Sequence, residues 1–112
     1  MFEPQHKTLV NDGRWAQMTL AQQMANIGSE VSRSTKWLIK NNPEQAERAF
    51  YRGLELIDCS IDSTLKFTTL KELCRLRENY CELFLDKNIR ELQNLIKYFD
   101  YFAIESLRTN PK

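Results

Sequence analysis

Apolar residues recur every three or four positions along most of this chain. Leu20, Met24, Ile27, Val31 and Leu38 mark one face of a helix near 20–40. Ala46, Ala49, Phe50, Leu54 and Ile57 mark a second near 43–58, with Glu44, Glu47, Arg48, Arg52 and Glu55 on its other side. Leu70, Leu73, Cys74, Tyr80, Cys81 and Phe84 define a third near 69–86. Leu92, Leu95, Ile96, Phe99, Phe102, Ala103 and Leu107 form a dense stripe near 89–107, which Tyr98 and Tyr101 widen. No alternating run of β-branched residues supports a sheet. The pattern predicts an all-α chain.

Local signals set the ends of these helices. Thr19 and Gln22 fit the capping box, in which an N-terminal hydroxyl and a side chain three residues on satisfy each other's free N–H groups. Thr69 with Glu72 repeats it, and Asn88 with Glu91 offers a third start. At Asn42-Pro43, asparagine caps a new helix and proline takes its first position, where a missing N–H costs nothing. Pro43 also moves Asn42 out of the α region, so the earlier helix stops before it. Lys36 and Lys40 complement the end of that helix, and Glu44 and Glu47 the start of the next. Asp58, Ser60, Asp62, Ser63 and Thr64 read as turn formers, with Ile61, Leu65 and Phe67 pinning the connection to the core. Short connections predict antiparallel neighbours. The expected organisation is an N-terminal arm over 1–18, an antiparallel four-helix bundle over 19–108 and a tail over 109–112. Pro4 and Asn11-Asp12-Gly13 are turn signals in the arm, and Trp15 and Met18 are expected to pack on the bundle or on a partner.

At 112 residues, 42% hydrophobic and 28% charged, the composition suits one globular domain. A net charge of +1 gives no strong field to steer the whole molecule to a polyanion or a membrane. No apolar run approaches the ~20 residues that span a bilayer. The first residues carry no hydrophobic signal core. Cys59, Cys74 and Cys81 are an odd number without a CxxC, which points to a reducing cytoplasm rather than a disulfide framework.

Candidate chemistry is thin. Cys74 and Cys81 share a helical face but lie two turns, ~10 Å, apart, too far for one zinc ion. A buried apolar role is the expectation for them. His6 is the only histidine, and no arginine precedes it, so the Arg-x(4–6)-His ribonuclease motif of HEPN domains is missing. Glu30, Glu78 and Glu82 lack the Glu-x-x-His partners of di-iron bundles and read as solvated charge. Neither GxGxxG, a P-loop nor GxSxG occurs. No catalytic residue, cofactor or metal ligand is expected, and the chain reads as a non-enzyme.

Two surfaces attract attention instead. Ala21, Ala25, Gly28 and Ser32 form a stripe of small residues that admits another backbone, either inside the chain or from a second subunit. With Tyr98, Tyr101 and Phe102 it suggests a partner interface, in a homo-oligomer or with another protein. Alternatively, Arg33, Lys36 and Lys40 join Arg48 and Arg52 beside Trp37 and Tyr51, while Lys71, Arg75 and Arg77 add charge on the third helix. Basic residues with aromatics nearby bind RNA or DNA through phosphate contacts and stacking.

Residues 37–58 resemble a single tetratricopeptide hairpin, with Trp37, Ala46 and Phe50 at its aromatic, alanine and phenylalanine positions. Gly53, Asp58 and Ser34 depart from that pattern, and no second copy follows. A longer resemblance, over residues 19–103, joins Ala25-Asn26-Ile27-Gly28-Ser29-Glu30-Val31, Trp37 and Ala49-Phe50-Tyr51-Arg52-Gly53-Leu54-Glu55-Leu56-Ile57-Asp58. It continues through Leu70-Lys71-Glu72-Leu73, Arg77-Glu78 and Tyr98-Phe99-Asp100-Tyr101-Phe102-Ala103. These segments look like a family of small uncharacterised prokaryotic helical-bundle proteins. By architecture such bundles also resemble accessory subunits of reverse-transcriptase elements and partners in toxin–antitoxin pairs. On that architectural likeness the expectation is an accessory protein.

Overall fold

Thr19 opens the first long helix as its spacing requires. Its hydroxyl accepts from the Gln22 N–H at 3.1 Å, while Gln22 Oε1 accepts from the Thr19 N–H at 2.9 Å. The computed structural model describes residues 13–108, with side chains through residue 105. Among the described residues five helices follow one another: α1 (Arg14–Gln17), α2 (Leu20–Ile39), α3 (Pro43–Ser63), α4 (Phe67–Leu85) and α5 (Ile89–Arg108). There is no strand among the described residues, so the all-α expectation holds. Residues 1–12, the tail over 109–112 and the Leu107 side chain lie outside the described residues.

Two hinges share one design. After α2, Asn41 adopts a left-handed φ of 58°, and the N–H groups of Asn41 and Asn42 donate to the carbonyls of Leu38 and Trp37. After α4, Lys87 takes φ 54°, and the N–H groups of Lys87 and Asn88 donate to Phe84 and Leu83. Both are Schellman endings, which satisfy the last carbonyls of a helix. Each then passes into an asparagine cap. Asn42 Oδ1 accepts from the Gln45 N–H and Asn88 Oδ1 from the Glu91 N–H, both at 3.2 Å. The hinges meet at one end of the molecule, where Leu38, Asn42 and Lys87 line a common shallow pocket.

The third connection differs from expectation. α3 continues to Ser63 rather than ending near Asp58, and α4 begins at Phe67 rather than Thr69. Residues 59–63 stay helical because they keep the period of the core face. Ile57 and Ser60 are buried in succession to Ala46, Ala49, Phe50 and Gly53. Asp58 and Asp62 are exposed, so these turn formers sit on the outer side of a helix instead. At α4, Leu70 already donates to the carbonyl of Lys66 at 2.9 Å, which puts Thr69 inside the first turn and not at its cap. Leu65 and Phe67 do not pin the connection to the core. Leu65 is fully exposed and Phe67 largely so. Ile61 alone of the three packs on the core.

α2 packs along both α3 and α5, and α4 meets α3 and α5 on the other side. Ile27, Val31, Ile57, Tyr80, Leu92 and Phe99 are fully or almost fully buried between them. Phe50 and Phe84 stack with ring centres 4.1 Å apart, tying α3 to α4, and Tyr80 meets Phe50 edge-on at 5.0 Å. Two glycines permit close helix approach. A Cβ on Gly28 would stand 2.5 Å from Phe99 Cβ, and one on Gly53 would stand 3.2 Å from the Tyr80 ring. Leu20, assigned to the core face by its spacing, is 43% exposed at the first turn of α2.

α1 belongs to the core. The Trp15 indole donates to Ser60 Oγ at 3.0 Å, Ser60 donates to Gln23 Oε1 at 2.7 Å, and Gln23 Nε2 donates back to the Trp15 carbonyl at 2.8 Å. This closed ring of bonds joins α1, α2 and α3 and leaves Trp15 2% exposed. Of the two placements expected for Trp15, the chain itself provides the packing.

Candidate interaction surfaces

The basic face is built on a carboxylate. Glu30 is 8% exposed, contrary to its reading as solvated charge. Its Oε1 accepts from Arg33 Nη1 at 2.7 Å and from Arg52 Nε at 3.4 Å. A buried carboxylate is retained only with such partners, because its desolvation is otherwise prohibitive. Two of the five cations expected to face nucleic acid therefore converge on one anion across α2 and α3. Arg48 reaches back to Glu44 on its own helix at 3.7 Å. Lys40 lies over the Trp37 ring at 5.4 Å, a cation–π distance. Lys36 is exposed on α2 and lines the groove beside α5.

Under this face lies a second polar link. Tyr80 and Ser34, both fully buried, share a hydrogen bond of 2.7 Å, and Ser34 also donates to the Val31 carbonyl at 2.8 Å. Burial raises the Tyr80 phenol well above its usual range, only partly countered by the Ser34 bond. Gly53 makes room for both Tyr80 and the Glu30 stem.

The residues expected at a partner interface divide between two sides of α5. Ala25 and Gly28 lie in a groove of about 370 Å³ between α2 and α5, with Ser29, Ser32 and Ala103. Gly28 itself is buried against Phe99, so its missing side chain serves packing within the chain. Ala21 is half-buried. Tyr98 lines a different groove, of about 440 Å³, between α4 and α5, with Leu76, Glu72, Glu78 and Glu82. Burial, then the Glu72 charge, raises the Tyr98 phenol. Tyr101 is 60% exposed and Ile104 58%, and the half-buried Phe102 meets the rings of Tyr98 and Tyr101 edge-on, each at 5.4 Å. The periodic reading missed Ile104, Leu65 and Phe67 as exposed apolar residues. Their spacing looks like core, and only the positions of neighbouring helices reveal otherwise.

The cysteines do not gather. Cys74 is exposed rather than buried, Cys81 is half-buried beside Arg77, and Cys59 is half-buried on α3. Burial with the neighbouring Glu55, Asp62 and Asp58 pushes the Cys59 thiol up to about 11, away from the reactive thiolate. Among the described residues, no group of three or more His, Cys, Asp or Glu is placed to hold a metal ion. None of their helices is long and apolar enough to cross a membrane. No protein-family model, curated protein or solved structure matches the chain.

Proposed function

We propose that this chain is a non-enzymatic interaction protein, an antiparallel four-helix bundle that works by associating with a second copy of itself or with a protein partner. The observation that carries this reading is the outer line of α5. Tyr98, Tyr101 and Ile104 follow one another at three-residue spacing, each 39% exposed or more, and Phe102 backs the two tyrosines. Exposed aromatic and aliphatic side chains held in fixed edge contacts are the kind of anchors that protein interfaces bury. Sedimentation velocity at micromolar concentration, with retention of native-host proteins on the immobilised chain, tests it. The Tyr101→Asp, Ile104→Asp variant should associate at least about tenfold more weakly while keeping its melting temperature. A parent that stays monomeric and retains the same proteins as the variant would overturn the reading.

The RNA- or DNA-binding reading has less behind it. Arg33, Arg52 and Arg48 each have a carboxylate partner within the chain, which leaves Lys36, Lys40 and Trp37 as its main support. Phosphate contacts would make binding fall steeply with salt. Absence of any binding to a labelled oligonucleotide at low salt would sink it.

A further inference from the structure

We infer that the connection between α3 and α4 is a cleavage site, cut between Leu65 and Lys66 by an endoprotease with an apolar primary pocket, and that the cut chain stays folded as two bound halves.

Thr64, Leu65 and Lys66 link α3 to α4. Thr64 (φ −87°, ψ 141°) and Lys66 (φ −94°, ψ 124°) are both extended. Leu65 and Lys66 are exposed, as are Phe67 and Thr68 after them. α4 begins without a side-chain cap, and the Leu70 N–H donates to the Lys66 carbonyl at 2.9 Å. The Leu65 carbonyl, the one attacked in this cut, lies ahead of that bond. Susceptibility to nicking follows from the burial and hydrogen bonding of the backbone at the cut, and both leave this bond open.

The other two connections of the bundle are exposed but tied. Asn41 and Asn42 donate back to Leu38 and Trp37, and Asp86, Lys87 and Asn88 to Glu82, Phe84 and Leu83. Those turns must open before a protease can straighten them. Leu85 is the closest comparison with Leu65. It is the same residue type, largely exposed and beside a connection, yet it is the last residue of a helix. Backbone conformation also selects the kind of partner. A cleft that takes an extended strand reads Leu65 and Lys66 as they stand, whereas helix-binding grooves read residues three and four apart.

Hydrolysis breaks the Leu65–Lys66 C–N bond. The oxygen of water joins the Leu65 carbonyl carbon, and both its hydrogens end on the Lys66 nitrogen, giving a carboxylate and an α-ammonium. The halves remain joined by contacts that cross the cut. Phe50 stacks on Phe84, Ser34 bonds to Tyr80, and Gly28 packs on Phe99. The new ammonium stands near the positive end of α4, where the helix dipole disfavours it. The cut therefore weakens the bundle without dispersing it, and makes its stability depend on concentration.

Chymotrypsin, whose primary pocket takes large apolar side chains, tests this on the full-length chain at a low enzyme ratio. Mass spectrometry should place the first cut among the described residues after Leu65, sparing Leu85. The two pieces should elute together from a sizing column at the position of the parent. They should melt below the parent, at a temperature that falls on dilution. Leu65→Ser, at a fully exposed position, should slow the cut about tenfold or more with circular dichroism unchanged. A first cut within a helix, after Leu85 or Tyr101 for example, would overturn the site. So would an unchanged rate of cutting in Leu65→Ser. Pieces that separate on the column would overturn the bound halves.

Discussion

The Cα of Gly28 faces Phe99 so closely that an added methyl group would stand 2.5 Å from the phenylalanine Cβ. That atom is anchored to the α5 backbone and cannot swing aside. Gly28→Ala would gain about 1 kcal/mol of helix propensity. Overpacking costs about 1–3 kcal/mol and here requires the two helices to separate. Urea denaturation should therefore show Gly28→Ala less stable than the parent. Gly53→Ala, whose Cβ would meet the Tyr80 ring at 3.2 Å, should be the milder of the two substitutions.

Ser60→Ala should destabilise the protein by about 1–3 kcal/mol, because it strands the buried Trp15 N–H and removes a donor to Gln23. Trp15→Phe should be costly for the same reason and for lost packing. A double-mutant cycle of Ser60→Ala with Trp15→Phe should reveal a coupling energy. Strict additivity in thermal or chemical unfolding would show that the ring of bonds contributes nothing.

Glu30→Gln keeps the size of the side chain but removes the charge that holds Arg33 and Arg52. A loss of about 1–3 kcal/mol is expected for charge-assisted bonds at a buried acceptor. Glu44→Gln, whose pair with Arg48 lies in solvent, should change stability by less than about 0.5 kcal/mol. Equal effects in the two variants would contradict the buried role of Glu30.

Lys87 holds a left-handed conformation that a Cβ disfavours by about 1 kcal/mol or more. Lys87→Gly should accordingly raise stability by up to about 1 kcal/mol, seen as a higher urea midpoint with an unchanged slope. Asn41, at the matching position after α2, tolerates this region better, so Asn41→Gly should gain less.

Stability should fall above about pH 9. Cys59 has its folded-state pKa raised from 9.0 to about 11 by burial and nearby carboxylates, and burial raises Tyr80 above 10.0. A group whose folded pKa lies above its unfolded value stays protonated longer in the native state. Its contribution is complete below the unfolded pKa and is lost as pH rises through the folded one. Melting temperature should decline from pH 9 upward. Cys59→Ser should lessen the decline near its start and Tyr80→Phe at higher pH. Cys74, which is exposed, should be the first thiol modified by a disulfide reagent at neutral pH.

Much of the helix punctuation was legible in the sequence. Thr19 with Gln22, Asn42 with Pro43, and Asn88 with Glu91 act over three residues, so their bonds need no tertiary neighbour. The same local rules failed at Thr69, which lies inside the first turn of a helix that starts at the exposed Phe67 without a side-chain cap, and at Ser60, where a hydroxyl bonded to Trp15 sits on a turn former that stays helical. The candidate interface was legible only as a set of names. Ala25 and Tyr98 were expected together, yet the fold puts them in grooves on opposite sides of α5.

The sequence by itself determined that the chain is helical, where most helices begin and end, and which residues are apolar enough to bury. The tertiary structure decided which of those apolar residues stay outside, as Leu65, Phe67, Tyr101 and Ile104 do. It also decided that Glu30 goes inside, because its two arginines come from positions 3 and 22 residues away. The division follows from range. Caps and periodicity depend on contacts within a turn or two, whereas burial depends on which helix arrives from far along the chain.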